Sequence, residues 1–246
     1  MTDYAALARE IEAWIALKVR ESGTGSIVLG LSGGVDSGVT AALSARVLGN
    51  EKVLCLALPC GSSQADTGDA LRLAGILDIE CRIIDLDPVL ASLVRSVGLD
   101  AGDRLAMANV KARLRMTAIY AFSTGRLVAG ASNFSEILVG YWTKWGDGAA
   151  DILPLGRLWK DEVYDLAREL GLPDWLIGKV PSAGLWPGQS DEAEMGVSYA
   201  DIRHYFEGDL SPGDASDRIE EMNRVTEHKR NPIPFFDARK WIGDNE

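Results

Sequence analysis

Cysteine is scarce in this chain. Its 246 residues hold three, Cys55, Cys60 and Cys81, an odd number with no C-x-x-C pair. Neither a disulfide framework nor a zinc cage is indicated, and the three read as small buried hydrophobes. Basic charge is short as well: 25 Lys and Arg stand against 36 Asp and Glu, a net charge of −11. A long nucleic-acid duplex would have to be gripped against that field, although a local basic patch can coexist with an acidic whole. No apolar run approaches the roughly 20 residues that span a bilayer. Met1-Thr2-Asp3-Tyr4 lacks the basic stretch and apolar run of a signal peptide. Internal repeats and low-complexity tracts are missing too. These shortages leave a cytoplasmic globular protein, with neither membrane nor nucleic acid as partner, as the expectation.

What is present fits that class. Hydrophobic residues make up 47% and charged residues 25%, average globular usage. The length exceeds a usual domain of roughly 150 residues but not two, so a single domain over residues 1–246 is expected. Residues 1–22 show helical spacing, with Leu7, Ile11, Trp14, Ile15 and Lys18 at i+3 and i+4 steps. That predicts an amphipathic helix packed on the domain or on a partner subunit. Residues 26–31 form a short, almost continuous apolar run, the mark of a strand buried on both faces. Further strands are predicted over 53–58, 79–86 and 126–130, with helical patterns between them. Pro88 falls early in one of those helices, where its missing N–H costs little. A polar loop over 61–68 precedes another helix. Strands alternating with helices imply an α/β fold, a doubly wound parallel sheet flanked by helices, binding ligands beyond the carboxyl ends of its strands. Beyond residue 150 the pattern turns to helices and loops: a helix over 158–170, an aperiodic, mobile loop over 179–190, and a helix over 214–229 ending in His228-Lys229-Arg230.

The chemistry gathers in Ser32-Gly33-Gly34-Val35-Asp36-Ser37, between a buried strand and a helix. Glycines let the backbone approach an anion closely, and a helix N-terminus aims unpaired N–H groups at it. Where a Walker A loop has Lys, this one has Asp36. An acid beside a phosphate makes sense with a metal ion between them, so Asp36 is a candidate magnesium ligand. The plain alternative is a tight strand-to-helix turn with a capping residue.

This loop resembles the pyrophosphate loop of the ATP pyrophosphatases. Five further stretches narrow the resemblance: Asn109-Val110-Lys111-Ala112-Arg113-Leu114-Arg115-Met116; Gly130-Ala131-Ser132-Asn133-Phe134-Ser135-Glu136; Gly140-Tyr141-Trp142-Thr143-Lys144-Trp145-Gly146-Asp147-Gly148 with Asp151; Leu158-Trp159-Lys160; and Pro181-Ser182-Ala183-Gly184-Leu185 followed by Gly188-Gln189-Ser190-Asp191-Glu192. In this order, from about residue 30 to 232, they are similar to the ammonia-dependent NAD synthetase family.

The resemblance implies a ligase that joins ammonia to the nicotinate carboxylate of deamido-NAD, using ATP with Mg2+ and passing through an adenylate. It implies that Gly30, Leu31, Ser32, Gly33, Gly34, Val35, Asp36 and Ser37 cradle ATP, with Ala131, Lys160 and Ser182 also touching it. Asp36 and Glu136 would hold the metal. Arg113, Lys144, Asp151, His228 and Lys229 match acceptor-binding positions, and it stays open whether Arg113 or Arg115 faces the substrate. Asp147 matches the acid proposed to take a proton from ammonia, or else it holds its loop in shape; Lys160 suits the charge on leaving pyrophosphate. Ala131 stands where many relatives carry Thr, which leaves only a backbone contact, and Gly184 stands where some carry Asp. Trp142 and Trp145 read as interior or interface aromatics. The family usually forms a homodimer with the dinucleotide across the interface, and the helix over 1–22 would suit that contact. Some relatives carry a glutaminase domain; the stretch before Ser26 is too short for one, so free ammonia or a separate supplier is expected. Residues 61–68 and 179–190 would be lids. A tRNA-modifying pyrophosphatase would need a basic surface and a reactive Cys. A plain nucleotide-binding module would not need Asp36, Glu136 and Asp147 together.

Overall fold

The apolar runs become four parallel strands: β1 (Ser26–Gly30), β2 (Val53–Ala57), β3 (Glu80–Ile83) and β4 (Arg126–Val128), in the order β3-β2-β1-β4. A computed structural model of the chain describes residues 2–182, 184, 186 and 188–239; Ala183, Leu185 and Pro187, within the expected mobile loop, lie outside the described residues. The helices are α1 (Tyr4–Glu21), α2 (Val35–Leu48), α3 (Gln64–Leu77), α4 (Asp87–Val97), α5 (Arg104–Ala121), α6 (Phe134–Val139), α7 (Lys160–Glu169), α8 (Asp174–Ile177), α9 (Asp191–Met195), α10 (Tyr199–Glu207), α11 (Asp214–Val225) and α12 (Glu227–Arg230).

Alternation along the central strands feeds two cores. Ile27 and Leu29 of β1, with Cys55 and Ala57 of β2, pack under α1, α2, α3 and α7. Val28, Leu54 and Leu56 face the other way, toward α4 and α5. The two-residue period of a pleated strand divides its side chains in this manner, and each fully buried Leu or Ile contributes about 1.5–3 kcal/mol. Helix α2 is buried from Val35 to Ala45 except at half-buried Asp36, because α1, α3 and α7 all pack against it. Cys55 and Cys60 are buried and Cys81 half-buried, all three as free thiols. A third core, Val139, Met195, Ile202, Ile219 and Met222 among its members, joins α6 to α9, α10 and α11.

Several boundaries differ from the sequence reading. The polar stretch 61–68 is loop only at its start: Ser63 caps α3, its Oγ accepting from Asp66 N at 3.2 Å. Strand β3 is an exposed edge strand ending at Ile83, although Ile84 N and Leu86 N still donate to Ala57 O and Pro59 O, each at 2.9 Å. Strand β4 stops at Val128 because Gly130 N turns away to Ile152 O, 2.9 Å. Trp159 is extended, so α7 starts at Lys160. The helix over 214–229 breaks at Thr226 into α11 and α12. On α1 the buried face is Ala8, Ile11, Ile15 and Val19, while Trp14 points outward.

Strand β1 has β2 on one side and β4 on the other. The chain leaving β1 therefore enters the crevice where the strand order reverses, the place where open α/β sheets bind ligands.

Candidate active site

Beyond Gly30 the backbone turns at Gly33, whose φ of +75° suits glycine. A Cβ there would also lie 2.8 Å from Asp69 Cβ and 2.9 Å from Asp66 O, so the loop presses directly on α3. Its serines hold its shape. Ser37 Oγ accepts from Ser32 N at 3.2 Å and donates to Gly34 O at 3.0 Å, and Ser32 Oγ accepts from Gly34 N at 3.2 Å. Helix α2 starts at the next residue, so its first-turn N–H groups, which have no partner within the helix, meet whatever anion the loop takes. Lys179 straps the loop from outside: Nζ donates to Gly33 O at 3.2 Å, Asp66 Oδ1 at 3.0 Å and Asp69 Oδ2 at 2.6 Å.

Three residues far apart in sequence meet beside this loop. Lys160 Nζ lies 2.6 Å from Asp36 Oδ2 and 3.7 Å from Glu136 Oε1, with the lysine 3% exposed. Asn133 joins α2 to α6, its Nδ2 donating to Asp36 Oδ1 at 3.0 Å, and it closes a capping box with Glu136. Tyr199 OH, 3.3 Å from Glu136 Oε1, donates to Asp191 Oδ2 at 2.9 Å. Burial alone would lower the Lys160 pKa, but Asp36 and then Glu136 outweigh it and hold the ammonium above its usual range. Burial, then the neighbouring Asp36, pushes the Glu136 carboxyl up to about 8 against the pull of Lys160. Burial likewise raises Asp191, against bonds from Tyr199 and Tyr141 and the charge of Lys160.

The donor set suits a hard cation. Asp36 and Glu136 offer carboxylate oxygens, and a magnesium ion prefers a few of these together with phosphate oxygens and water. Among the described residues no three His, Cys, Asp or Glu cluster as an all-protein metal site.

The second wall is the 140–148 loop and α12. Its glycines are dictated by packing: a Cβ on Gly148 would sit 1.8 Å from the Trp142 ring, and one on Gly140 (φ +65°) 2.2 Å from Thr226 Cβ. Asp147 Oδ1 accepts from Thr143 N at 3.0 Å. Its surface opens on the cavity, yet the protein mass around it raises its carboxyl, opposed by the Thr143 N–H. Trp145 is exposed and takes φ +63°, unusual for a bulky residue.

A cavity of about 660 Å³ runs between these walls. Of the expected site residues it brings together Gly30, Leu31, Ser32, Gly34, Val35, Asp36, Ser37, Ala131, Glu136, Asp147, Lys160, Ser182 and Lys229. Gly33 braces the loop from behind. Arg113, Lys144, Asp151 and His228 do not line it. Arg113 is exposed and donates to Lys144 O at 3.3 Å. Lys144 Nζ donates to His228 O, and Lys229 Nζ to Gly140 O at 2.6 Å and to Trp142 O. Asp151 clips β4, accepting from Val128 N at 2.8 Å and Tyr120 OH at 3.2 Å. Arg115 does line the cavity, its Nε on Leu58 O at 3.2 Å and Nη2 on Ser62 Oγ at 2.8 Å. Trp142 lines it as well. Sequence reasoning missed Lys179, Asp191 and Tyr199. Asp191 stood in a quoted motif, but one acid among several carries no signal of burial.

The NAD synthase family model matches residues 7–233. An NH(3)-dependent NAD(+) synthetase from Carboxydothermus hydrogenoformans is 43% identical, covering 88% of this chain and 91% of that protein. One from Hyperthermus butylicus is 41% identical, covering 97% and 94%. Among solved structures, the NMN synthetase from Francisella tularensis superposes with a TM-score of 0.91 at 35% identity, covering 96% of this chain and all of that one. The NH3-dependent NAD synthetase from Campylobacter jejuni gives 0.80 at 30%, with the same coverage. With the family model spanning most of the chain and such relatives matched nearly end to end, this chain belongs to the NAD synthase family.

Proposed function

We propose that this protein amidates the nicotinate carboxylate of deamido-NAD with ammonia, at the expense of ATP, by way of an adenylated carboxylate. The observation that carries the reading is the Asp36–Lys160–Glu136 cluster beside a phosphate-type loop, in one cavity with Asp147. A carboxylate is a poor acyl donor and needs a leaving group. Its oxygen attacks the α-phosphorus, the bond to the bridging oxygen breaks, and pyrophosphate departs. Ammonia then adds to the acyl carbon, loses a proton and expels AMP. The amides of α2 receive phosphate oxygens, and Lys160 faces the charge that grows on pyrophosphate. Asp147, at the cavity wall, accepts the ammonia proton. Magnesium, held by Asp36 and Glu136, would supply charge neutralisation at the phosphates.

A homodimer and a cytoplasmic setting belong to the same proposal. Arg113, Lys144 and His228 match acceptor positions yet lie outside the cavity of their own chain, which suits an acceptor lying across an interface.

A second reading takes nicotinate mononucleotide as the acceptor and yields the mononucleotide amide. The superposition on the Francisella tularensis NMN synthetase, closer than on the Campylobacter jejuni NAD synthetase, favours it. One experiment separates the two: ATP, Mg2+ and ammonium chloride with either acceptor, following amide, AMP and pyrophosphate together. NAD formed in step with pyrophosphate, and lost in Asp36→Ala, supports the first reading. Turnover confined to the mononucleotide supports the second, and pyrophosphate release with neither amide overturns both.

A further inference from the structure

Helix α6 carries Asn133 at its cap and Glu136 in its first turn, yet it is only six residues long. A helix so short barely satisfies its own backbone and does not hold its place by propensity. Its last carbonyls are taken instead by one stretch of the C-terminal region. Arg230 Nη1 donates to Leu138 O at 2.9 Å and reaches Ile137 O at 3.4 Å. Asn223 Nδ2 donates to Leu138 O at 2.6 Å. Thr226 Oγ1 lies 3.2 Å from Val139 O, and Lys229 Nζ donates to Gly140 O at 2.6 Å. Leu138 O and Gly140 O are thus held by side chains from 223–230, while Ile137 O, which also accepts from Gly140 N at 3.2 Å, and Val139 O are approached by Arg230 and by Thr226, whose hydroxyl donates to Met222 O at 2.6 Å. The two cations among them stand at the negative end of the helix dipole.

Arg230 is the keystone. The same guanidinium also donates to Thr226 Oγ1 at 2.9 Å and to Asn223 O, so it fixes the very residues that share the capping with it. Arg230 itself does not line the cavity, although Thr226, one of its partners, does. At the opposite end of α6, Asn133 Nδ2 grips Asp36 at 3.0 Å, and Glu136 lies 3.7 Å from Lys160. A slip of this short helix along its axis would move both contacts at once.

We propose that Arg230 is a positioning residue for the metal-holding pair, acting through the C-terminal cap of α6 to set Glu136 against Asp36. The inference rests on the reading of Asp36 and Glu136 as the residues that hold the cation with ATP. It separates Arg230 from its neighbours His228 and Lys229, which match acceptor-binding positions.

The test reads metal binding and needs neither acceptor nor ammonia. Mn2+ is titrated by electron paramagnetic resonance into the full chain saturated with α,β-methylene-ATP. Wild type is compared with Arg230→Ala, Asn223→Ala, Asp36→Ala and, as a control on the same C-terminal region, the exposed Arg224→Ala. Removing a direct outer partner of a metal ligand weakens binding roughly tenfold or more; Arg230 acts one step further out, so a loss of about tenfold is the expectation for Arg230→Ala. A smaller loss is expected for Asn223→Ala and none for Arg224→Ala. Added guanidinium ion should restore affinity to Arg230→Ala in a saturable manner, which a general loss of stability would not permit. Unchanged Mn2+ affinity in Arg230→Ala overturns the inference, and so does a loss that guanidinium leaves untouched. If Arg230→Ala does not fold, Asn223→Ala decides, and unchanged affinity there overturns it. Should Asp36→Ala bind Mn2+ as tightly as wild type, the metal assignment falls and the inference with it. A weakened Asp36→Ala beside an unchanged Arg230→Ala removes the inference alone.

Discussion

On the wall built by α2, α6 and α7, charged side chains are matched to other side chains: Lys160 to Asp36 and Glu136, and Asn133 to Asp36. On the wall built by the 140–148 loop and α12, cations are matched to backbone carbonyls: Arg113 to Lys144 O, Lys144 to His228 O, and Lys229 to Gly140 O and Trp142 O. The difference separates two uses of charge. A carboxylate can trade an ammonium for a metal ion or a rearranged lysine and remain compensated. A backbone carbonyl that loses its side-chain donor has no charged ligand to take that donor's place. The first wall is equipment that a ligand can rearrange, and the second is a frame in which the same cations also hold the chain in shape.

Removing Lys160 tests the first wall most severely. Lys160→Met leaves two adjacent carboxylates without their shared cation, and breaking a buried pair in this way costs about 3–5 kcal/mol. Urea unfolding in chelator should show that loss, and saturating Mg2+ with ATP should recover part of it, because another cation can take the lysine's place. A loss that Mg2+ does not touch would show Lys160 to be frame as well. Glu136→Gln has the opposite signature. Activity should fall roughly a hundredfold or more, since a metal contact is worth several kcal/mol, while metal-free stability rises. The sign follows from the carboxyl: its ordinary value of 4.5 is raised to about 8 in the fold. Between those values the folded chain holds more protons than the unfolded one, so wild-type stability declines as pH rises through that window. The advantage of Glu136→Gln should therefore widen from 4.5 to about 8 and level off above. An advantage independent of pH would mean that Glu136 is ionised throughout.

The two walls were also unequally legible in the sequence. Strands β1 and β2 could be read because both of their faces are buried, which leaves an unbroken apolar run. The start of α3 was carried by a local signal that the polar composition of 61–68 concealed: Ser63, three residues ahead of Asp66, whose N–H it caps. The loop over 32–37 could be placed as a strand-to-helix turn from its glycines and its position after a buried strand. Its partnership with Glu136 and Lys160 could not be read from spacing, since those residues lie on α6 and α7 and meet only when the sheet brings them together; the family resemblance supplied it. On the second wall the resemblance named Lys144, His228 and Lys229, but nothing in the chain's pattern said that Lys144 and Lys229 would hold carbonyls, one of them that of His228. Hydrogen bonds to backbone leave no trace in residue type, because every residue offers the same carbonyl. For 109–116 the sequence left open which of Arg113 and Arg115 faces the substrate; of the two, Arg115 lines the cavity.

Lys229→Met sharpens the comparison on the frame side. It strips the charged donor from Trp142 O and from Gly140 O, which keeps only its bond from Trp142 N at 2.9 Å, and losing hydrogen bonds from a charged donor costs about 1.5–3 kcal/mol. Thermal unfolding should record the loss equally with and without Mg2+ and ATP, in contrast with Lys160→Met. Recovery by Mg2+ and ATP would erase the distinction between the walls.

Arg113→Ala carries the smallest expected effect and the finest discrimination. The side chain is exposed, and its bonds to Lys144 O are long, 3.4 Å from Nε and 3.3 Å from Nη2. A surface substitution of this kind changes stability by no more than about 0.5 kcal/mol. The frame should therefore survive, and any kinetic change reports on the acceptor. If Arg113 serves an acceptor lying across two subunits, KM for that acceptor rises while KM for ATP stays put. The reverse pattern is expected of Arg115→Ala, since Arg115 sits inside the cavity between Leu58 O and Ser62, on the loop that follows β2. Equal KM values for both substrates in Arg113→Ala would leave the arginine as a minor brace of the 140–148 loop. The acceptor's charge would then have to be met by cations that line the cavity, among them Arg115, Arg218 and Lys229.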